Sequence, residues 1–337
     1  MNAAAKNYDG VNKYIRITDI DEASSTYTNK DIVSPDGVLT DNYLVNNRDI
    51  LLARTGASTG KSYLYKKSDG KLYYAGFLIR ANVTTHDPYF VFSQLHTHRY
   101  WRWVSIMSAR SGQPGINSQE YSSFPIYTTS IEEESKIAKL LSLLDERIAT
   151  QNKIIDKLQS LIKGISKQLF MDNQNWRTVK IGELLRIGNG KDYKHLSIGK
   201  IPVYGTGGQM LLVNDYLYDG ESVCIGRKGT IDTPMFLKGK FWTVDTLFYT
   251  YDFKDVLPKF CYYLFLQINW KLYNEGTGVP SLSKSTIENI KVKIPSLEQQ
   301  QKICSILDCY EHKTNNEEQI LELYHSEKQY LLRQMFI

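Results

Sequence analysis

The sequence predicts an α+β protein with two pseudo-repeated strand-rich domains separated by two long antiparallel coiled-coil helices. Three observations predict it. The chain repeats itself: Ser130-Ile131-Glu132-Glu133-Glu134-Ser135-Lys136-Ile137 is answered 166 residues later by Ser296-Leu297-Glu298-Gln299-Gln300-Gln301-Lys302-Ile303. The same offset carries Gly112 to Gly278, Pro114 to Pro280, Ile116 to Leu282 and Leu169-Phe170 to Met335-Phe336. An ungapped offset of this length marks a tandem duplication. Each copy closes with a heptad-spaced apolar seam, and each opens with short apolar runs bounded by Gly, Asn or Asp, as strands are.

The elements follow in order. In residues 1–129 the run Asp49–Ala53 reads as a strand and Phe90–Leu95 as a short buried helix. Residues 130–171 read as one helix, because no proline occurs from Thr128 to Lys200. Its seam is Ile137, Leu141, Leu144, Ile148, Ile155, Leu158, Ile162, Ile165 and Leu169, interrupted only by the polar Gln151. Such a helix spans roughly 60 Å. In residues 172–295, Ser222–Ile225 reads as a strand, Gly205–Gly208 and Gly226–Gly229 as turns, and Phe260–Phe265 as a second short buried helix. Residues 296–337 carry the matching seam, Ile303, Leu307, Tyr310, Thr314, Glu317, Leu321, Tyr324, Lys328, Leu331 and Met335, and Glu317 aligns with Gln151. A solitary seam would stay wet, so the two helices are expected to pack on each other. An ordinary helical hairpin is disfavoured, since 126 residues separate Phe170 from Leu297.

The chain has 337 residues, 41 Lys and Arg against 36 Asp and Glu, and a net charge of +5. The two helices hold seven and four basic residues against six and seven acidic ones, leaving 30 against 23 in the globular parts. The basic excess therefore lives in the globular parts and points to an anionic partner. Ordinary apolar and charged fractions exclude a disordered or collagen-like chain. No apolar run approaches the ~20 residues of a membrane helix, and the polar start lacks a secretory signal. Cys224, Cys261, Cys304 and Cys309 form no paired spacing, which points to free thiols in a reducing cytoplasm and to no zinc site. The 24 tyrosines suit wet, polar interfaces.

Enzymatic motifs fail one by one. Gly56-Ala57-Ser58-Thr59-Gly60-Lys61-Ser62 has three residues between its glycines where a phosphate loop needs four, so no nucleotide cofactor is expected. Pro35-Asp36 with Asp69-Gly70-Lys71 lacks the third acidic partner of a metal-dependent nuclease. Asp87-Pro88-Tyr89-Phe90 is one proline short of an amino-methyltransferase motif. His96 and His98 have no further ligand nearby and read as surface or packing residues. No catalytic or metal-binding set is predicted.

A binding surface remains. Arg54-Thr55-Gly56 and Arg227-Lys228-Gly229 each follow an apolar strand at matching places. A cation beside glycine at a strand end can approach a phosphate or a guanine edge without steric conflict. Ser58, Lys61, Arg110, Gln113, Lys191, Tyr193, Lys194 and Tyr204 add charge, hydroxyls and an amide suited to the same target.

With these motifs in order, the chain resembles the specificity subunit of a type I restriction–modification system. The resemblance rests on two strand-rich domains, each followed by a helix opening Ser-[Ile/Leu]-Glu-x-x-x-Lys-Ile. It rests also on Trp176-x-x-Val179-Lys180-Ile181-Gly182-Glu183-Leu184, on Gly276-Thr277-Gly278-Val279-Pro280-Ser281-Leu282, and on Arg110-Ser111-Gly112-Gln113-Pro114-Gly115-Ile116-Asn117. It implies two target-recognition domains reading the halves of a split double-stranded DNA sequence. It implies spacer helices that dock two methyltransferase subunits, motor-nuclease subunits in the restriction complex, and no catalytic residue in this chain. One departure is expected to matter: the first domain has no counterpart of Asn175–Gly190 and begins near the point matching Lys191. The rival readings are a coiled-coil adapter that binds proteins without reading DNA, and an enzyme fragment with degraded motifs.

Overall fold

The computed structural model describes residues 1–109, 112–171 and 173–336. It divides into two compact units, Met1–Lys153 with Glu318–Ile337, and Ile154–Glu317. The division cuts both long helices, beside Gln151 and at Glu317, where the seam is polar.

The first unit opens with strands β1 (Ala4–Asn7), β2 (Lys13–Ile15), β3 (Val33–Asp36), β4 (Asp49–Ala53), β5 (Ser62–Leu64), β6 (Leu72–Tyr74) and β7 (Leu78–Asn82). β5, β4 and β7 form an antiparallel sheet, β2 runs parallel to β6, and β1 pairs with β3. Strand β4 is apolar without alternation because both its faces are covered. Ile50 and Leu52 enter one core with Phe92, Tyr100 and Val104, while Leu51 and Ala53 enter another with Tyr63, Leu72 and Leu78. Helices α1 (Pro88–Gln94), α2 (His98–Met107) and α3 (Ser118–Ser122) start at Asp87, Thr97 and Asn117, whose side chains accept the free N–H groups of the first turn.

Helix α4 (Ile131–Met171) begins in this unit. Its first half packs Ala138 and Leu141 against Phe90 of α1 and against Leu332 and Phe336 near the chain end. Lys328 lies 2.6 Å from Asp145, which sets an antiparallel register. His96 is packed rather than exposed: its Nδ1–H donates to the Phe92 carbonyl at 3.0 Å and its Nε2 accepts from the Ser25 hydroxyl at 3.0 Å. Burial, with Lys328 nearby, lowers it from its ordinary 6.5 to about 4. The unfolded chain therefore takes up a proton that the folded unit refuses, and stability should fall as the pH drops from 6.5 to 4. The loss should reach about 2–3 kcal/mol. Thermal unfolding across that window should show the slope in the parent chain and a flatter one in His96→Gln.

The second unit holds strands β8 (Arg177–Lys180), β9 (Arg186–Asn189), β10 (Ile198–Gly205), β11 (Gly208–Val213), β12 (Tyr218–Gly226), β13 (Met235–Thr243), β14 (Leu247–Tyr251) and β15 (Lys291–Ile294). Helices α5 (Ile181–Leu184), α6 (Pro258–Gln267), α7 (Lys284–Asn289) and α8 (Leu297–Met335) complete the chain. Its main sheet runs β11-β10-β13-β12-β14-β9, and β8 pairs with β15. The duplication is visible in the pairing. The parallel pair β10–β13 repeats β2–β6, and β12–β14 repeats β4–β7. The second half of α4 packs Ile165 and Leu169 on a core that includes Ile303 and Leu307 of α8. Phe170 stacks 5.4 Å from Phe260 of α6, as Phe336 rests 5.2 Å from Phe90 of α1. That shared contact explains why Leu169-Phe170 recurs as Met335-Phe336.

The predicted seam faces inward. Leu141, Leu144, Ile148, Ile155, Leu158, Ile303 and Leu307 are buried, while Ile137, Ile162, Ile165, Leu169, Leu321 and Leu331 are half-buried. By the last turn Leu332 is the more buried neighbour of Leu331, as expected when a 3.6-residue helix drifts against a seven-residue repeat. Among the described residues, no helix is long and apolar enough to cross a membrane, and no group of three His, Cys, Asp or Glu side chains is placed to hold a metal ion.

Candidate nucleic-acid interface

In the first unit β4 ends at Ala53 and the chain turns outward. The Arg54 N–H donates to the Phe77 carbonyl at 3.1 Å, and the Arg54 carbonyl accepts from Ile116 N–H at 2.9 Å. Gly56 N–H donates to the Pro114 carbonyl at 2.9 Å, and Thr55 bridges Gly115. The second unit repeats this bond for bond. Arg227 N–H donates to Thr246 at 2.8 Å, Leu282 N–H to Arg227 at 2.9 Å and Gly229 N–H to Pro280 at 2.9 Å, while Lys228 bridges Ser281. Gly56 (φ +76°) and Gly229 (φ +89°) take the left-handed turn that a side chain would resist. The backbone polar groups are thus spent on the protein, whereas the side chains of Arg54, Arg227 and Lys228 are exposed. Within the described residues those three side chains make no hydrogen bond or ion pair.

Two tyrosines hold the first loop. The Tyr121 hydroxyl donates to the Ala53 carbonyl at 2.6 Å and accepts from Gly60 N–H at 3.1 Å, and the Tyr100 hydroxyl donates to the Gly60 carbonyl at 2.8 Å. Burial pushes the Tyr121 phenol up to about 12 and the Tyr100 phenol higher still. Sequence reasoning missed both, and their only signal was the excess of tyrosine. Ser58 lies in the turn, its carbonyl accepting from Lys61 N–H at 3.0 Å. Lys61 is less available than expected: its side chain is 19% exposed and its Nζ lies 3.1 Å from a Glu22 carboxylate oxygen. Gln113 is exposed, with its amide 3.1 Å from where a side chain on Gly56 would start. Arg110 lies outside the described residues.

In the second unit the segment Thr243–Leu247 collects the predicted residues. Lys191 N–H donates to Thr243 at 2.8 Å, Val244 N–H to Tyr204 at 3.0 Å, and Arg227 N–H to Thr246. Lys191 and Lys194 are exposed, while Tyr193 and Tyr204 lie half-buried against the core around Val203, Phe241 and Trp242. Asn189, Arg227, Lys228, Ser281, Ser283 and Lys284 line one concavity. Asn189, Ser283 and Lys284 were not singled out from sequence, and Ser281 appeared there only within the Gly276–Leu282 motif. In the first unit Met1 stands where Lys191 does, its amine donating to the Tyr74 carbonyl at 3.0 Å.

Two copies of one cationic loop, clasped by the same bonds, bear on what the chain is related to. Residues 1–160 and 173–323 match the family described as type I restriction modification DNA specificity domain. The chain belongs to that family. Specificity subunits among the known proteins are similar to it, some over most of their length and others over about a third. The type I restriction enzyme MjaVIII specificity subunit of Methanocaldococcus jannaschii is 24% identical over 334 residues, covering 82% of this chain and 76% of that subunit. The EcoprrI specificity subunit of Escherichia coli is 24% identical over 147 residues, covering 40% of this chain and 36% of that one. A type I restriction–modification S subunit from M. genitalium superposes with a TM-score of 0.67 at 17% identity, covering 98% of this chain and 89% of that one. A structure titled for complex assembly and conformational transition of the type I system superposes with a TM-score of 0.59 at 14% identity, covering 95% and 90%. As a specificity subunit, the chain carries two strand-rich recognition domains and two long helical regions, the α+β class read from the sequence.

Proposed function

We propose that this specificity subunit is the DNA-reading, non-catalytic part of a cytoplasmic type I restriction–modification complex. Residues 1–129 and 172–295 each read one half of a split double-stranded target, and helices 130–171 and 296–337 space them. The observation that carries the reading is the duplicated loop: Arg54 and Arg227 leave matching backbone clasps with their charges unspent. Guanidinium groups so placed suit phosphates or the acceptor pair of guanine. Lys191, Lys194, Lys228 and Gln113 extend the same surface, in globular parts that carry the chain's basic excess.

Docking of two methyltransferase subunits is supported by the same offset. Ile131 and Leu297, Leu140 and Ile306, and Ile154 and Ile320 are pairs of exposed aliphatic residues 166 positions apart. Duplicated apolar positions on the helices suit two copies of one partner, with motor-nuclease subunits joining for restriction. A pure adapter leaves the free arginines without a role.

The test is titration of the purified chain with cognate and scrambled duplexes at several salt concentrations, the cognate motif being mapped from methylation in cells that also make the neighbouring subunits. Arg54→Ala and Arg227→Ala are each expected to weaken specific binding by about 1–3 kcal/mol if the side chain reaches a base edge. A phosphate contact would instead lower affinity for both duplexes alike and reduce the salt slope by about one. Binding unaltered in both variants would take these loops out of the interface, and salt-insensitive binding would favour the adapter.

A further inference from the structure

We propose that the concavity beside Arg227 seats one backbone phosphate of the target DNA on Lys228 and Lys284, which gives the second recognition domain the stronger hold on the duplex backbone. The inference rests on the DNA-reading function proposed above and assigns a ligand to one part of that surface. Backbone bonds tie the concavity together. Leu282 N–H donates to the Arg227 carbonyl at 2.9 Å and Lys228 bridges Ser281, so the cationic loop and the segment leading to Lys284 move as one. The Ser283 hydroxyl accepts from Thr286 N–H at 3.2 Å and donates to a Glu275 carboxylate oxygen at 2.9 Å, which fixes the turn that presents Lys284. Phe248 and Leu282 line the concavity and are buried, and Asn189 on β9 pairs with Phe248.

Charge identifies the ligand. Among the described residues, the side chains of Asn189, Arg227, Lys228 and Lys284 make no hydrogen bond or ion pair, and no carboxylate lines the concavity. Three like charges gathered there repel one another, and half-buried Lys284 has given up part of its hydration without a partner. Neither cost helps the fold, and a bound anion offsets both. Ammonium groups are point charges that suit a phosphate, whereas Arg227 alone has the planar fork that fits a guanine edge. The Ser281 hydroxyl and the Asn189 amide are groups that commonly contact phosphate oxygens. The first unit lacks the lysines at equivalent places, and the equivalence is set by bonds. Thr55 bridges Gly115 as Lys228 bridges Ser281, so Thr55 stands for Lys228. Asn117 caps α3 by accepting from Glu120 N–H as Ser283 caps α7, so Ser118 stands for Lys284. The first loop thus keeps Arg54 and carries neutral residues where the second carries two further cations.

The experiment titrates the full chain with cognate and scrambled duplexes across salt, and repeats the cognate titration with one methylphosphonate at a time in either half-site. Lys228→Gln combined with Lys284→Gln is expected to weaken binding to both duplexes roughly tenfold and to lower the salt slope by about one. A methylphosphonate at one position of the second half-site should cost the parent chain a similar factor and the glutamine pair less than about twofold, since the two changes remove one contact. Thr55→Ala combined with Ser118→Ala should leave the slope unaltered. Lys228→Arg combined with Lys284→Arg keeps both charges and should keep the slope; a loss there equal to that of the glutamine pair overturns the seat and assigns the effect to the fold. An unaltered slope in the glutamine pair, or a loss confined to the cognate duplex, overturns the inference and leaves the DNA-reading function standing. A slope lowered as much by the first-unit pair overturns the asymmetry. A parent chain that fails to prefer cognate DNA overturns the reading function, while a slope lowered by the glutamine pair would still support the seat.

Discussion

Glu134→Ala is expected to cost the first unit about 3 kcal/mol, and Gln300→Ala to cost the second a similar amount. The two side chains stand 166 residues apart at the starts of α4 and α8, and both are fully buried. Each clasps the loop that leads into the unit's short buried helix. Glu134 accepts from Asp87 N–H at 2.9 Å and from Thr129 N–H at 3.5 Å, and its Oε1 lies 2.8 Å from His86 Nδ1. Gln300 accepts from Leu257 N–H at 2.9 Å and donates from Nε2 to the Asp255 and Pro295 carbonyls, each at 3.0 Å. Alanine would take the partner from each of these part-buried or buried backbone groups, and a group left unpaired away from water loses its solvation.

The exchange variants sharpen the test. Glu134→Gln keeps an acceptor for Asp87 N–H and a polar group facing His86, so it should cost under about 1 kcal/mol. Gln300→Glu sets a carboxylate against two carbonyl oxygens and should cost at least as much as alanine. Chemical denaturation with hydrogen exchange to tell the units apart measures all four. Equal costs for the two exchanges would mean that the donors at Gln300 are not what holds its loop.

How far the sequence revealed this protein depends on which atoms carry the information. The long helices were legible because a seam repeats in side chains, and strand β4 because burial on both faces leaves an unbroken apolar run. The loops at Arg54 and Arg227 were legible because duplication showed the same residue types twice. The segment Thr243–Leu247 was not, since it acts through carbonyls and amides that every residue possesses. Tyr193 and Tyr204 illustrate the opposite error in weighting. Their hydroxyls suggested ligand contacts, yet much of each ring rests on the core. Lys61 looked free for the same reason, and only the fold brings Glu22 to it. The compact units were the hardest to foresee. A heptad pattern says that a helix is covered and leaves open by what, so nothing in it told that α4 and α8 each pass from one unit to the other halfway along.

That division sets the last expected result. Inserting seven residues after Lys153 in α4 and seven after Glu317 in α8 should lengthen the unspecified gap in the methylated motif by about three base pairs. Both insertions fall at the boundary of the compact units, so the helix pairing inside each is retained: Asp145 with Lys328 in one, Ile165 and Leu169 beside Ile303 and Leu307 in the other. Seven residues add roughly 10 Å of helix at the standard rise, and a base pair occupies about 3.4 Å of duplex axis. A whole heptad keeps the seam within ~20° of its original phase. Three or four residues would instead shift the two halves of each seam roughly 40–60° out of phase, so those variants should be inactive. Seven residues in α4 alone leave α8 too short by the same 10 Å or so, and that variant should fail as well. Methylation mapping in cells carrying the partner subunits gives the readout. Two intact half-sites set about three base pairs farther apart would support the helices as the ruler. An active double insertion with the original gap would mean that DNA distortion or a partner subunit fixes the spacing instead.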